Sequence, residues 1–134
     1  MTVEPQVRNE PYVIPKDLVR DLEKAFSETA RDIKEGPFYW FGNKGVESKT
    51  EDEDTCNRSK NLSLIVPNIY GRREIVAFLA LSEKKDLGES IGTEVIGCIY
   101  GKGKPIDTLR RRLQDRILHK HPNVFYEIQD LTTR

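Results

Sequence analysis

The sequence predicts a three-layer α/β domain, a mostly parallel sheet with helices on both faces. Two segments, 16–35 and 106–119, space their apolar residues three and four apart, as amphipathic helices do. Short apolar runs at 38–41, 62–66, 93–100 and 124–128 suit strands buried on both faces. Between two of those runs lies Glu74-Ile75-Val76-Ala77-Phe78-Leu79-Ala80-Leu81. Taken as a helix over 71–85, it makes strand and helix alternate, the signature of a helix-covered parallel sheet. The alternative makes 74–82 a strand, and the fold becomes α+β with a mainly antiparallel sheet.

The elements follow in order. Residues 1–11 carry Pro5 and Pro11 without periodicity and read as a mobile lead-in to a single domain over 12–130. Tyr12-Val13-Ile14, closed by Pro15, is long enough for a stub of strand. In the first helix Leu18, Leu22, Ala25, Phe26, Thr29 and Ile33 form one stripe, and Gly36-Pro37 stops it. The aromatic run Phe38-Tyr39-Trp40-Phe41 fits a buried strand. Residues 42–58 are polar and read as a loop, with a short helix near 54–60. Leu62-Ser63-Leu64-Ile65-Val66-Pro67 is a strand. In 74–85, Ala77, Leu79, Ala80 and Leu81 favour helix, and Lys84 and Lys85 suit a helix C-terminus. Residues 86–92 read as a loop before the β-branched strand Glu94–Tyr100. Gly101-Lys102-Gly103-Lys104-Pro105 leads into the last helix, striped by Leu109, Leu113, Ile117 and Leu118.

Composition narrows the function. The 134 residues hold 22 Lys+Arg against 22 Asp+Glu, without the basic excess of a dedicated polyanion binder, so nucleic acid is not an expected partner. Only a weak polarity exists, with 10 basic and 13 acidic residues up to Pro67 and 12 and 9 beyond it. Cys56 and Cys98 form no C-x-x-C pair and are expected as reduced thiols. The acidic run Glu51-Asp52-Glu53-Asp54 lacks EF-hand spacing, and His119-Lys120-His121 sits at a helix end, so no metal site is expected. Without a signal-peptide pattern or a run of about 20 apolar residues, a cytoplasmic chain off the membrane is expected.

In an open parallel sheet, ligands bind beyond the carboxyl ends of the strands. That rule selects the loop after Phe41, the Pro67–Glu74 turn, the Gly101–Pro105 turn and the approach from Tyr12 into the first helix. Backbone N–H groups and the ammonium groups of Lys102 and Lys104 at the Gly101–Pro105 turn could meet an anion, although glycines and lysines are also ordinary turn residues. Glu74 could orient a ribose hydroxyl or stabilise a developing cation; equally, it could only complement a helix dipole. Arg110, Arg111, Arg112 and Arg116 read as a solvated face or a phosphate contact.

Ser59-Lys60-Asn61-Leu62-Ser63-Leu64-Ile65-Val66-Pro67-Asn68-Ile69-Tyr70, followed by Arg72-Arg73-Glu74-Ile75, resembles the Toll/interleukin-1 receptor (TIR) domains. Glu94–Tyr100 and Pro105-Ile106-Asp107-Thr108-Leu109 continue the likeness, which covers roughly 55–118. It departs upstream, where Tyr12-Val13-Ile14-Pro15 replaces a longer first strand and the Trp-Cys pair before the Glu is missing. The resemblance implies a flavodoxin/TIR-like architecture and a nucleotide ligand, with NAD as a substrate cleaved at its nicotinamide–ribose bond and no permanently bound cofactor. Glu74 would then be catalytic, and Trp40, Phe41 and Asn43 would line the pocket, with Lys102 and Lys104 near the phosphates. A homo-oligomer is consistent with it.

If 74–82 is a strand, then 73–82, Glu94–Tyr100 and Gly101-Lys102-Gly103 resemble the core of a GNAT-type N-acetyltransferase, implying acetyl-CoA at the glycine turn. Cys98 stands where that family carries Arg or Gln. A third reading is a non-enzymatic protein–protein interaction module, using the 51–54 loop and the basic helix 106–120 as complementary surfaces.

Overall fold

A computed structural model describes residues 12–36, 45–52, 58–68, 70–101 and 103–131. The first helix, α1 (Lys16–Glu35), buries the expected stripe, including Leu18, Leu22, Ala25, Phe26 and Ile33. Thr29 joins that stripe because its hydroxyl is satisfied within the helix, donating to the Ala25 carbonyl at 2.9 Å. Four strands follow as an antiparallel meander: β1 (Glu47–Asp52), β2 (Lys60–Pro67), β3 (Arg73–Asp86) and β4 (Glu89–Tyr100). Helix α2 (Lys104–Leu118) then crosses over to β5 (Val124–Leu131), which pairs parallel to β4. Spatial order equals chain order, β1-β2-β3-β4-β5.

This architecture overturns the three-layer, mostly parallel expectation: one parallel pair stands against three antiparallel ones, as in the α+β alternative. The decisive segment is 74–82, which is the middle of β3 and not a helix. Ala77, Leu79 and Leu81 point into the core while Phe78 and Ala80 are half-buried on the opposite side. A central strand with one covered face and one partly covered face reads as a continuous apolar run. Cross-strand packing then outweighs the helical preference of Ala and Leu.

Three smaller expectations change with it. Residues 86–92 are mostly strand, since Asp86 pairs with Glu89 around a two-residue turn, Leu87-Gly88. Both turn residues have positive φ, 51° and 83°, as a type I′ hairpin demands. No strand forms at 12–14; instead Ile14 is buried and the Tyr12 hydroxyl bonds that of Thr93. Strand β1 arises inside the expected polar loop, and Lys60 begins β2 where a short helix was anticipated. The expected strand at 38–41 lies outside the described residues, as does the lead-in 1–11.

Both helices lie on one face. Leu62, Leu64, Leu79, Leu81, Val95 and Ile99 share a single core cluster with the buried residues of α1 and α2. The described elements thus form two layers. Gly97 in β4 is part of that packing: a Cβ there would sit 2.1 Å from the Phe78 carbonyl oxygen and 2.7 Å from Leu79 Cδ2. The helices are also tied by charge. Arg112 reaches Glu28 at 3.2 Å and Asp32 at 2.9 Å, and Arg116 meets Glu28 at 3.0 Å. Among the described residues, no helix is long and apolar enough to cross a membrane.

Candidate functional site

Strand alternation divides the side chains of β2–β5 between two faces. Register places Ser63, Phe78 and Cys98 side by side, then Ala80 beside Ile96, and Tyr100 beside Leu131, all on the face opposite the helices. The ladder shifts between Leu64 and Ile65, leaving Val76 as the extra residue of a bulge in β3. Just before that bulge, Ile75 pairs with Ile65 on this outer face. No described element covers it.

The result is an apolar band running from β2 to β5. Ile75, Ile96, Tyr100, Phe125 and Leu131 each keep 39–48% of their surface exposed. At one end the band opens into a depression of about 590 Å³, whose walls include Ile75, Phe78, Cys98, Tyr100, Glu74 and Gly101. Charge on this face includes Glu127 of β5, beside Ile96, and two ion pairs nearer the margins. Arg73 pairs with Glu47 beyond β2, and Lys84 with Glu94 at 3.0 Å at the far end of β4. Within the band, Cys98 lies beside Tyr100, and hydrogen bonding between the two side chains raises the phenol above its ordinary range.

The expected site residues do not converge. Glu74 lies on β3, exposed at the rim of the depression. Lys104 opens α2 and borders a separate recess of about 380 Å³ with Asp32, Glu35 and Arg112, in the helix layer. Trp40, Phe41, Asn43 and Lys102 lie outside the described residues. Gly101 and Gly103 have positive φ, 85° and 121°, which glycine tolerates. The turn's surroundings are closed, however. The β4–β5 ladder runs unbroken to Tyr100 and Leu131, the Gly101 N–H donates to the Leu131 carbonyl at 3.4 Å, and Arg110 donates to the Gly101 carbonyl at 2.9 Å. No gap opens between the two strands at that end.

The arginines of α2 are mostly engaged. Arg110 bridges Asp107 at 2.7 Å and Asp130 at 2.6 Å, while Arg112 and Arg116 hold the acids of α1. His121 is fixed against Asp21 at 2.6 Å. Glu51 and Asp52 belong to β1 and pair with Lys49 and Lys60. Residues 53–54 of the acidic run are outside the described residues. No cluster of His, Cys, Asp or Glu able to hold a metal ion occurs among the described residues.

Sequence reasoning passed over Phe78, Ile96, Cys98, Tyr100, Phe125 and Leu131. Their signal was a period of two, visible in Phe78-x-Ala80 and Ile96-x-Cys98-x-Tyr100 once β3 is taken as a strand. Compared with protein-family models, curated proteins and solved structures, the chain finds no match.

Proposed function

We propose that this chain is a protein–protein interaction module that docks a protein partner on the outer face of its sheet. One observation carries this reading: half-exposed Ile75, Ile96, Tyr100, Phe125 and Leu131 share a face that no described element covers. Contiguous apolar surface rimmed by ion pairs favours association, because water released from it supplies roughly 25 cal/mol per Å². The complementary-charge version has less support, since Arg110, Arg112 and Arg116 are ion-paired with acids of the same chain. The NAD-cleaving reading placed Glu74 on a helix beside a nucleotide cleft, and that helix is β3.

A second reading retains one observation in its favour. The strand at 73–86, running through a hairpin to the Gly101 turn, is the arrangement on which the acetyltransferase resemblance depended. The unbroken β4–β5 ladder counts against a ligand seated between those strands.

Two measurements decide. Affinity capture is compared between the wild-type chain and Ile96→Lys, with Lys24→Glu on α1 as a control surface change. Partners retained by the control and lost with Ile96→Lys support the module; identical capture by all three contradicts it. Thermal shift with NAD, ADP-ribose and acetyl-CoA should leave Tm unmoved, and incubation with NAD should release no nicotinamide. A rise with acetyl-CoA would favour the acetyltransferase; a ligand at 100-fold excess over Kd stabilises by about 2.7 kcal/mol.

A further inference from the structure

The strands carry an acidic excess that the chain as a whole does not. Strands β1–β5 hold ten Asp and Glu against five Lys and Arg, while the formal net charge of the chain is zero. Each of those five cations is ion-paired: Lys49 with Glu51, Lys60 with Asp52, Arg73 with Glu47, Lys84 with Glu94 and Lys85 with Glu83. Glu127 and Glu74 have no ion pair among the described residues. The first lies within the apolar band beside Ile96, and the second borders the depression at the end of that band.

The backbone restricts what can cover this face. Strands β2, β3 and β4 each use their N–H and C=O groups on ladders to both sides, so the face offers none to a partner. A covering segment therefore has to satisfy its own backbone, as a helix does. Dimensions agree. From β2 to β5 the band is three strand spacings across, about 14 Å, close to the 10–12 Å diameter of a helix with its side chains. Along β5, Phe125 to Leu131 covers about 20 Å, the length of roughly 13 helical residues. Charge narrows the choice further. A partner without a cation opposite Glu127 would desolvate that carboxylate and leave it unpaired, an unfavourable burial. A second copy does not meet the need, because the cations of its own strands are already paired and it brings another Glu127.

We infer that the partner of this face is a basic amphipathic helix. Its apolar stripe lies over Ile75, Phe78, Ile96, Tyr100 and Phe125, with a Lys or Arg opposite Glu127 and a second cation near Glu74. The inference rests on the reading of the chain as an interaction module and adds the chemistry of the partner. With a net charge of zero, the attraction is local to this face and not a property of the whole molecule.

Fluorescence anisotropy with the full chain tests this, using as probes two synthetic helices of about 14 residues with leucines along one face. One probe carries Lys on its other face, the second Glu. The Lys helix should bind at least about tenfold more tightly at low ionic strength, and the difference should shrink as salt is added. Glu127 is exposed, so its variants should melt with the wild type. Glu127→Gln should weaken the Lys helix about threefold and Glu127→Lys about tenfold, while Lys24→Glu on α1 leaves it bound as before. Equal binding of the two probes, no binding of the Lys helix at about 100 μM, or a preference that survives Glu127→Lys overturns the inference. Ile96→Lys separates the two proposals. If it releases both probes and the wild type does not discriminate between them, the docking face stands and the basic helix is removed. If neither Ile96→Lys nor Glu127→Lys alters binding, the docking face falls as well.

Discussion

The two faces of this sheet are built from the same strands and meet opposite fates. On the helix side, Leu62, Leu64, Leu79, Val95 and Ile99 are at most 2% exposed. One position along, Ile96 and Tyr100 keep 46% and 42% of their surface. Both sets are apolar, so strand composition does not decide which is buried; the helices α1 and α2 do, by lying on one side together. An apolar face left beyond what the described fold covers contributes little to folding and is suited to association.

Substitutions sharpen that contrast. The largest effect belongs to the covered face. Leu79→Ala should lose about 3 kcal/mol in denaturant unfolding, from lost transfer energy and the cavity left behind. Ile96→Thr, one strand over on the open face, should lose less than about 1 kcal/mol. Equal losses at the two positions would break the comparison. Gly97→Ala should lose roughly 1–3 kcal/mol, because the added methyl is aimed at the Phe78 carbonyl and the Leu79 side chain. Leu87→Asn changes sign. Leu87 is 97% exposed with φ of 51°, so Asn, which tolerates that conformation, should raise stability by about 1 kcal/mol.

The smallest effect is a pH dependence. Burial raises the Tyr12 phenol, against a lowering by its hydrogen bond to Thr93 and with a further rise from Glu83. A folded-state pKa above the unfolded one means stability is intact below the unfolded value, about 10, and falls as pH rises through the folded one. Tyr12→Phe should flatten that alkaline decline in thermal melts. An unchanged decline would place its origin elsewhere.

Much of the fold was legible in the sequence and one segment redirected the rest. Both helices, β2, β4 and β5 follow from periodicity and β-branched runs, because each element has a wet face or a clear stop such as Gly36 or Pro67. In β3 the period of two was masked, since Val76 sits in a bulge and Ala77 and Ala80 read as helix formers. Strand β1 left no apolar trace because it is a polar edge. Choosing helix at 74–82 carried Glu74 into a nucleotide cleft and removed the strand alternation that exposes Phe78. The candidate surface was therefore present in Ile96-x-Cys98-x-Tyr100 and lacked only its neighbouring strand to be recognised. Gly101 and Gly103 were read as turn residues, and both have positive φ, but the closure of Gly101 by Arg110 and Leu131 depends on contacts distant in the chain.

Cys98 sits in the middle of the open face, beside Phe78 and Tyr100, and reports directly on whether that face is uncovered. Alkylation of the native Cys56→Ser chain by a small thiol reagent should proceed within about tenfold of the rate in denaturant, as half-exposed thiols do. Protection by about a thousandfold or more in the monomer would mean a third layer covers the sheet, and would contradict this account.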